Sequence, residues 1–205
     1  MKLIYLIGMP GTGKSTIMKE LMIRIGGWTV DKPIELLDTH ISNNLRVLGK
    51  YSDGEVFSGT DRLSMAVAPK AIEWLSTNPD ETIMGEGDRL NNKAFFAKAK
   101  ELGELHIIHL TVSDEERERR YKERGSEQSD KFIQTVSTKC NNISEYFGDQ
   151  NTLFGFKKGN VTLMPHESKE DTQKVVYKIL KLIWLLLYFW FNLGYNIGIL
   201  NNKGG

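Results

Sequence analysis

Apolar residues are spread along most of the chain in two alternating rhythms. Short runs of strand length, at residues 3–7, 34–37, 82–84, 105–112 and 161–164, are separated by longer stretches with a helical pattern. The predicted helices cover 14–24, 64–76, 91–102, 114–124 and 131–146, with a last one from Lys169 onward. Asp114 with Glu115 and Glu116 in the first turn is a good helix-start signal, because carboxylates there complement the helix dipole. Strands alternating with helices predict an α/β chain built on a parallel sheet. Two apolar arms at 45–51 and 55–58 flank Asp53-Gly54, a strong hairpin-turn signal, and predict a small β-hairpin insertion. Such an excursion is either purely structural or part of an acceptor pocket.

The pattern changes near the carboxyl end. Residues 179–191 carry one charge, Lys181, and apolar character continues to Leu200, broken by Asn192, Gly194, Asn196 and Gly198. From Trp184 to Phe191 every side of a helix would be apolar, which a surface helix would not be. Three readings stand: a core helix continuing from Lys169, an aberrant or read-through terminus, or a membrane anchor. The last reaches a span of about 20 residues only if both asparagines and several glycines are counted, so a membrane partner is not the expectation. The organisation expected is a domain over 1–181 and an apolar extension over 182–205.

Composition narrows the classes. A chain of 205 residues suits one domain with a continuous core. Its net charge of +1 makes no global case for nucleic acid or membrane, and leaves room for a local basic groove. Cys140 is the single cysteine, so no intramolecular disulfide forms, and there is no CxxC or Cys/His cluster for zinc. His106 and His109, three apart on a strand, point to opposite faces and share no metal. The amino terminus lacks a charged segment leading into a cleavable apolar one, and a reducing, cytoplasmic setting is expected. The sequence points to no protein partner.

Behind the first apolar run stands Gly8-Met9-Pro10-Gly11-Thr12-Gly13-Lys14-Ser15, with the spacing GxxxxGKS. A loop of this kind turns backbone N–H groups inward around phosphates, Lys14 reaches the outer phosphates, and Ser15 offers a hydroxyl to Mg²⁺. The helix that follows points its positive dipole end at the same anion. The nucleotide-binding set is therefore Gly8, Pro10, Gly11, Thr12, Gly13, Lys14, Ser15 and Thr16, with Lys14 also catalytic.

Acids and arginines supply the rest. Glu86 and Asp88, in Gly85-Glu86-Gly87-Asp88-Arg89, follow a strand at the edge where open α/β sheets bind ligands. Glu86 is a metal and catalytic candidate, Asp88 a catalytic one, and Arg89 a substrate anchor, set against the plain reading of a turn with solvated acids. Asp61 and Arg62 precede a helix as a second acid and base pair for substrate, although Asp61 also reads as an acid near a helix start. Asp38, after the run 34–37, is a further acceptor-side base, with His40 nearby. In 114–124 the pairs Glu115/Arg119, Glu116/Arg120 and Glu118/Lys122 have the favourable i,i+4 orientation of an exposed salt-bridged helix. Arg117, Arg120 and Arg124 share one face, where they suit a phosphoryl-transfer transition state. Gln128, Lys131 and Lys139 fall where a lid would close, and the loop 165–168 after the last strand is placed to touch a nucleotide base.

Together, Gly8–Ser15, the acid cluster Glu86–Arg89 and the arginine-bearing segment Arg117–Arg124 resemble the P-loop kinases of the nucleoside and nucleotide kinase group, over residues 2–181. Within that group 48–51, 57–64 and 85–90 look like phage-encoded kinases, including those that phosphorylate 5-hydroxymethyluracil in DNA, which would place the protein in the cytoplasm of a host cell. The resemblance implies ATP and Mg²⁺, a three-layer α/β/α core around a central parallel sheet, and a helical lid carrying arginines. The acceptor it implies is a nucleotide or a modified DNA base, with hydroxymethylated pyrimidine in DNA favoured over a free deoxynucleoside monophosphate. The near-neutral charge weighs against polymeric DNA. A GTPase-type switch is the contrasting class, but Asn92-Lys93-Ala94-Phe95 lacks the acid of the NKxD base-selecting element. A membrane-attached ATPase rests on the terminal apolar run alone.

Overall fold

The computed structural model describes residues 1–52, 58–77, 80–125, 128–148 and 160–183. Its seven strands are β1 (Lys2–Ile7), β2 (Thr29–Ile34), β3 (Leu37–Ser42), β4 (Leu45–Leu48), β5 (Thr82–Glu86), β6 (Glu104–Thr111) and β7 (Val161–Pro165). They form one sheet in the order β2-β3-β4-β5-β1-β6-β7. From β4 to β7 every neighbouring pair is parallel, and β3 and β2 extend that edge antiparallel. The helices are α1 (Lys14–Ile25), α2 (Val67–Leu75), α3 (Lys93–Leu102), α4 (Asp114–Arg124) and α5 (Asp130–Phe147), followed by α6 over 169–183.

Alternation along β1 builds the three layers. Leu3, Tyr5 and Ile7 face one side and pack with Ala71 and Trp74 of α2, Phe95 and Phe96 of α3, and Val136, Cys140 and Ile143 of α5. Ile4 and Leu6 face the other, against Ile17, Met18 and Leu21 of α1 and Val175, Val176 and Ile179 of α6. A strand covered on both faces favours an apolar run, and all six residues of β1 are buried, with Lys2 the one charged residue at its start.

Two expectations change. The run 34–37 is a turn rather than a strand: Ile34 ends β2, Leu36 takes a left-handed φ of 71°, and Leu37 begins β3. Its apolar side chains pack against the core from a tight connection, which periodicity alone does not distinguish from a short strand. Residues 45–48, read as a hairpin arm, form β4, a parallel neighbour of β5. Asp53-Gly54 lies outside the described residues, but the chain does close on itself there through an antiparallel bridge between Lys50 and Gly59. The predicted apolar extension, from residue 184 on, also lies outside the described residues. Among the described residues no helix is long and apolar enough to cross a membrane.

Candidate active site

Because β1, β4 and β5 run in parallel, Ile7, Leu48 and Glu86 end on one edge of the sheet, and the loops leaving them meet there. A cleft of about 430 Å³ opens at that edge. One side of it is the loop Gly8–Ser15. Lys14 Nζ donates to the carbonyls of Gly8 (2.8 Å) and Met9 (2.9 Å), and Thr12 Oγ1 donates to Met9 O (2.8 Å), so the loop is tied internally. Gly13 has φ 86° at the start of α1, and a Cβ there would run into the imidazole of His166.

Helix α4 braces this loop from outside. Ser113 caps it, accepting from Glu116 N (3.3 Å), and Glu167 anchors the cap by accepting from Ser113 N (2.6 Å) and Ser113 Oγ (3.1 Å). Tyr121 OH donates to Pro10 O (2.9 Å). Arg120 pairs with Glu116 (2.7 Å) and donates to Gly11 O (3.0 Å) and His166 O (2.8 Å). Arg117 pairs with Asp114 (2.5 Å) and reaches Met9 Sδ (3.8 Å). Of the anticipated helix pairs, Glu116/Arg120 forms, whereas Arg119 bonds to Glu116 and Glu123. Arg124 ends α4, and its side chain lies outside the described part of the structure. His166 also bonds to Thr172 Oγ1 (2.8 Å), and burial followed by the Arg120 charge pushes its pKa below the usual value.

At the floor of the cleft, Glu86 Oε1 accepts from Ser15 Oγ (2.9 Å) and, more distantly, from Tyr51 OH (3.4 Å). Its carboxyl is 1% exposed, and burial, opposed by the Lys14 charge and reinforced by Asp61, raises its pKa from the ordinary 4.5 to about 7. The backbone around it is locked: Thr60 Oγ1 donates to Glu86 O (2.8 Å), and Tyr5 OH donates to Gly87 O (2.9 Å). Gly59, with φ 71°, lies so close that a Cβ would meet the Glu86 carboxylate. Ser15 and Glu86 together offer hard oxygen donors beside the phosphate loop, a set that fits Mg²⁺ completed by phosphate oxygens and water.

The far side of the cleft is lined by Ser58, Asp61, Asp88, Arg89, Asn91, Gln128, Phe132 and Val136. Asp61 Oδ1 accepts from Asp88 N (2.5 Å). The Asp88 carboxylate pairs with Lys139 Nζ (2.7 Å), which α5 projects toward it. Arg89 Nε donates to Leu63 O (3.4 Å). Asp38 is displaced from its expected position: it lies inside β3, whose antiparallel start is at the site edge, and pairs with Lys50 (3.3 Å). Arg62, in a short 3-10 turn (Thr60–Arg62), donates to Ser52 Oγ (3.2 Å). Ser58, Asn91, Tyr121, Phe132 and Val136 escaped sequence reasoning. For the last two a signal existed, since 132, 136, 140, 143 and 147 form one stripe on α5.

A phosphate-binding loop after the first strand of a mostly parallel sheet, with a carboxylate from the neighbouring strand on its serine, is the arrangement of a P-loop nucleotide-binding protein. The family model for P-loop Nucleotide Kinase3 matches residues 1–161, and the chain belongs to that family. Among solved structures it is similar to a gluconokinase from Sinorhizobium meliloti 1021, at 13% identity over 90% of this chain and 97% of that one, with a TM-score of 0.43. It is also similar to a sugar kinase from Janibacter sp. HTCC2649, at 12% identity over 88% and 93%, with a TM-score of 0.47. Comparison with curated proteins gives no match.

Proposed function

We propose that the protein transfers the γ-phosphoryl group of ATP to a hydroxyl on a nucleotide-like acceptor, with hydroxymethylated pyrimidine in DNA as the favoured acceptor. The observation that carries this reading is the gathering of three carboxylates, Asp61, Glu86 and Asp88, in one cleft with the phosphate loop. A second phosphate arriving as acceptor would face those acids, whereas a neutral hydroxyl is activated by one of them.

The roles divide by neighbour. The loop amides and Lys14 hold the β- and γ-phosphates, and Arg117 and Arg120 place positive charge behind them. A hollow of about 310 Å³ between Gly13, Thr16, Arg119 and the segment 166–169 offers room for the ATP base. Ser15 and Glu86 would hold Mg²⁺, which neutralises charge building on the phosphates. Asp88 is neutralised by Lys139, and among the described residues no cation pairs with Asp61. Asp61 is therefore assigned as the base. The acceptor hydroxyl gives its proton to Asp61 as its oxygen bonds to the γ-phosphorus, and the bond to the bridging β-oxygen breaks to release ADP.

Arg89, which lines the cleft, favours a second reading in which a deoxynucleoside monophosphate is the acceptor. Incubation with γ-labelled ATP and either hydroxymethyluracil DNA or a panel of monophosphates separates the two. Label in the DNA, cut by about a hundredfold or more in Asp61→Asn, is the expected result. Label only in a monophosphate removes the DNA acceptor, and ATP hydrolysis without transfer to any acceptor removes the kinase reading. A switch of the GTPase type has little support, since Asn92 caps α3 by accepting from Phe95 N (2.9 Å).

A further inference from the structure

We infer that Tyr51 is a positioning residue for the metal: its hydroxyl holds the Glu86 carboxylate in the orientation in which that group serves Mg²⁺. This rests on the reading of Ser15 and Glu86 as the Mg²⁺ site, and it adds a residue from outside both the phosphate loop and the acid cluster.

The same carboxylate oxygen is held from two directions. Glu86 Oε1 accepts from Ser15 Oγ (2.9 Å) on the side of the phosphate loop and from Tyr51 OH (3.4 Å) on the side of β4. Gly59 backs that oxygen, the first atom a Cβ on Gly59 would meet. Tyr51 and Gly59 reach Glu86 from the two arms of one neck. Lys50, the residue before Tyr51, donates its N–H to Gly59 O (3.1 Å), and Gly59 N donates to Lys50 O (2.8 Å). The Tyr51 ring is itself seated. It meets the His40 ring edge-on, with centroids 5.8 Å apart, its backbone N–H donates to His40 Nε2 (3.3 Å), and it packs against the core cluster that contains Ile4, Leu6 and Val47. The hydroxyl is therefore delivered by a fixed ring, while Thr60 Oγ1 fixes the Glu86 backbone (2.8 Å).

The chemistry follows from which oxygen is occupied. A phenol keeps its proton at neutral pH and donates it, and a carboxylate accepts at both oxygens. Both hydroxyls act on Oε1, and Oε2 accepts from no donor among the described residues, so Oε2 is the oxygen left for a cation or its water. Side chains that orient a metal-binding carboxylate without touching the metal commonly change metal affinity by about ten- to a hundredfold when removed. Phenylalanine at position 51 keeps the ring against His40 and the core and deletes only the donor.

The test is calorimetric titration of a non-hydrolysable ATP analogue into the full chain, once with saturating Mg²⁺ and once with EDTA. By linkage, the ratio of the two affinities measures how strongly the protein favours the metal-bound nucleotide. In Tyr51→Phe that ratio should fall about tenfold, with the affinity in EDTA and the melting temperature unchanged. A ratio equal to the parent's overturns the assignment. An equal loss in both buffers does so too, because it makes Tyr51 a support of the fold or of the nucleotide and not of the metal. A parent that gains nothing from Mg²⁺ removes the metal site and its positioning residue together. The kinase reading fails separately: a Mg²⁺ gain that drops in Tyr51→Phe, in a parent that transfers label to no acceptor, keeps Tyr51 in this role and removes the kinase.

Discussion

The two walls of the cleft are built on opposite terms. On the phosphate wall the chain satisfies itself except at Arg117 Nε, which is buried without a partner among the described residues: Lys14, Arg120 and Tyr121 all donate to loop carbonyls, and Glu167 and His166 hold the braces in place. On the acceptor wall Ser58 Oγ and Asn91 Oδ1 are buried without partners among the described residues, and Phe132 shows its ring to the cleft. A phosphate chain is the same in every nucleotide, so its cradle is completed by backbone and fixed side chains. The acceptor is what the protein must choose, and choice requires bonds that only the right ligand completes. The walls should therefore respond differently to substitution, with losses of structure on the first and losses of selectivity on the second.

The largest effect is expected for Lys14→Ala. On the proposed reading Lys14 is the loop cation that holds the transferring phosphates, and removing it should lower phosphoryl transfer by about a thousandfold, on the scale of lost transition-state donors. The melting temperature should change little, since among the described residues Lys14 bonds only to its own loop. Unchanged transfer in a folded variant would deny the loop its catalytic role.

Next comes the floor between the walls. In Mg²⁺-free buffer Glu86 is an acid whose native pKa, about 7, exceeds its ordinary 4.5. Between those values the native chain keeps a proton that the unfolded chain has released, so stability falls as pH rises. Above pH 7 the burial penalty is complete, at about 3 kcal/mol. Glu86→Gln should flatten the decline and be more stable than the parent at pH 8, as read by urea melts from pH 4 to 8. A parent whose stability rises over that range would contradict the buried acid.

These contrasts also explain what the sequence made legible. The loop Gly8–Ser15 was readable because its spacing is local and each residue has one chemical reason to be there. Glu86 was readable through its position at a strand end. The hairpin of β2 and β3 was missed, and a single strand read at 34–37 instead, because Ile34, Leu36 and Leu37 look like a strand while Leu36 turns the chain. Arg117 and Arg120 were identified as cations near the phosphates, but their seating on Met9 and Gly11 is tertiary and leaves no mark on spacing. Asn91 and Phe132 were invisible for the same reason. A lone Asn before a helix reads as a cap, and a lone Phe on an amphipathic stripe reads as core, until the tertiary structure places both on the wall of the cleft.

Arg120→Met probes the phosphate wall with a smaller effect. It leaves Gly11 O and His166 O without their donor and removes the ion pair to Glu116 in a region where Arg120 is only 13% exposed. The expected cost is about 2 kcal/mol, with a higher KM for ATP and an unchanged KM for the acceptor. Stability equal to the parent's would show that the loop does not depend on this brace.

Ser58→Ala should have the smallest effect on the fold, and it bears most directly on the acceptor wall. The hydroxyl is buried, the residue being 3% exposed, and it bonds to nothing among the described residues, so its removal relieves a desolvation cost and breaks no bond. Without ligand the variant should be as stable as the parent, or more stable by up to about 1 kcal/mol. The opposite sign is expected once acceptor is present. If the bound acceptor completes the Ser58 bond, the parent gains more from saturating acceptor than the variant does, and the order of their melting temperatures reverses or narrows. Melting both proteins with and without acceptor measures this crossing without requiring turnover. A clear loss of stability in the unliganded variant would mean that Ser58 is a structural bond of the same kind as Tyr121, and the difference between the two walls would disappear at that position.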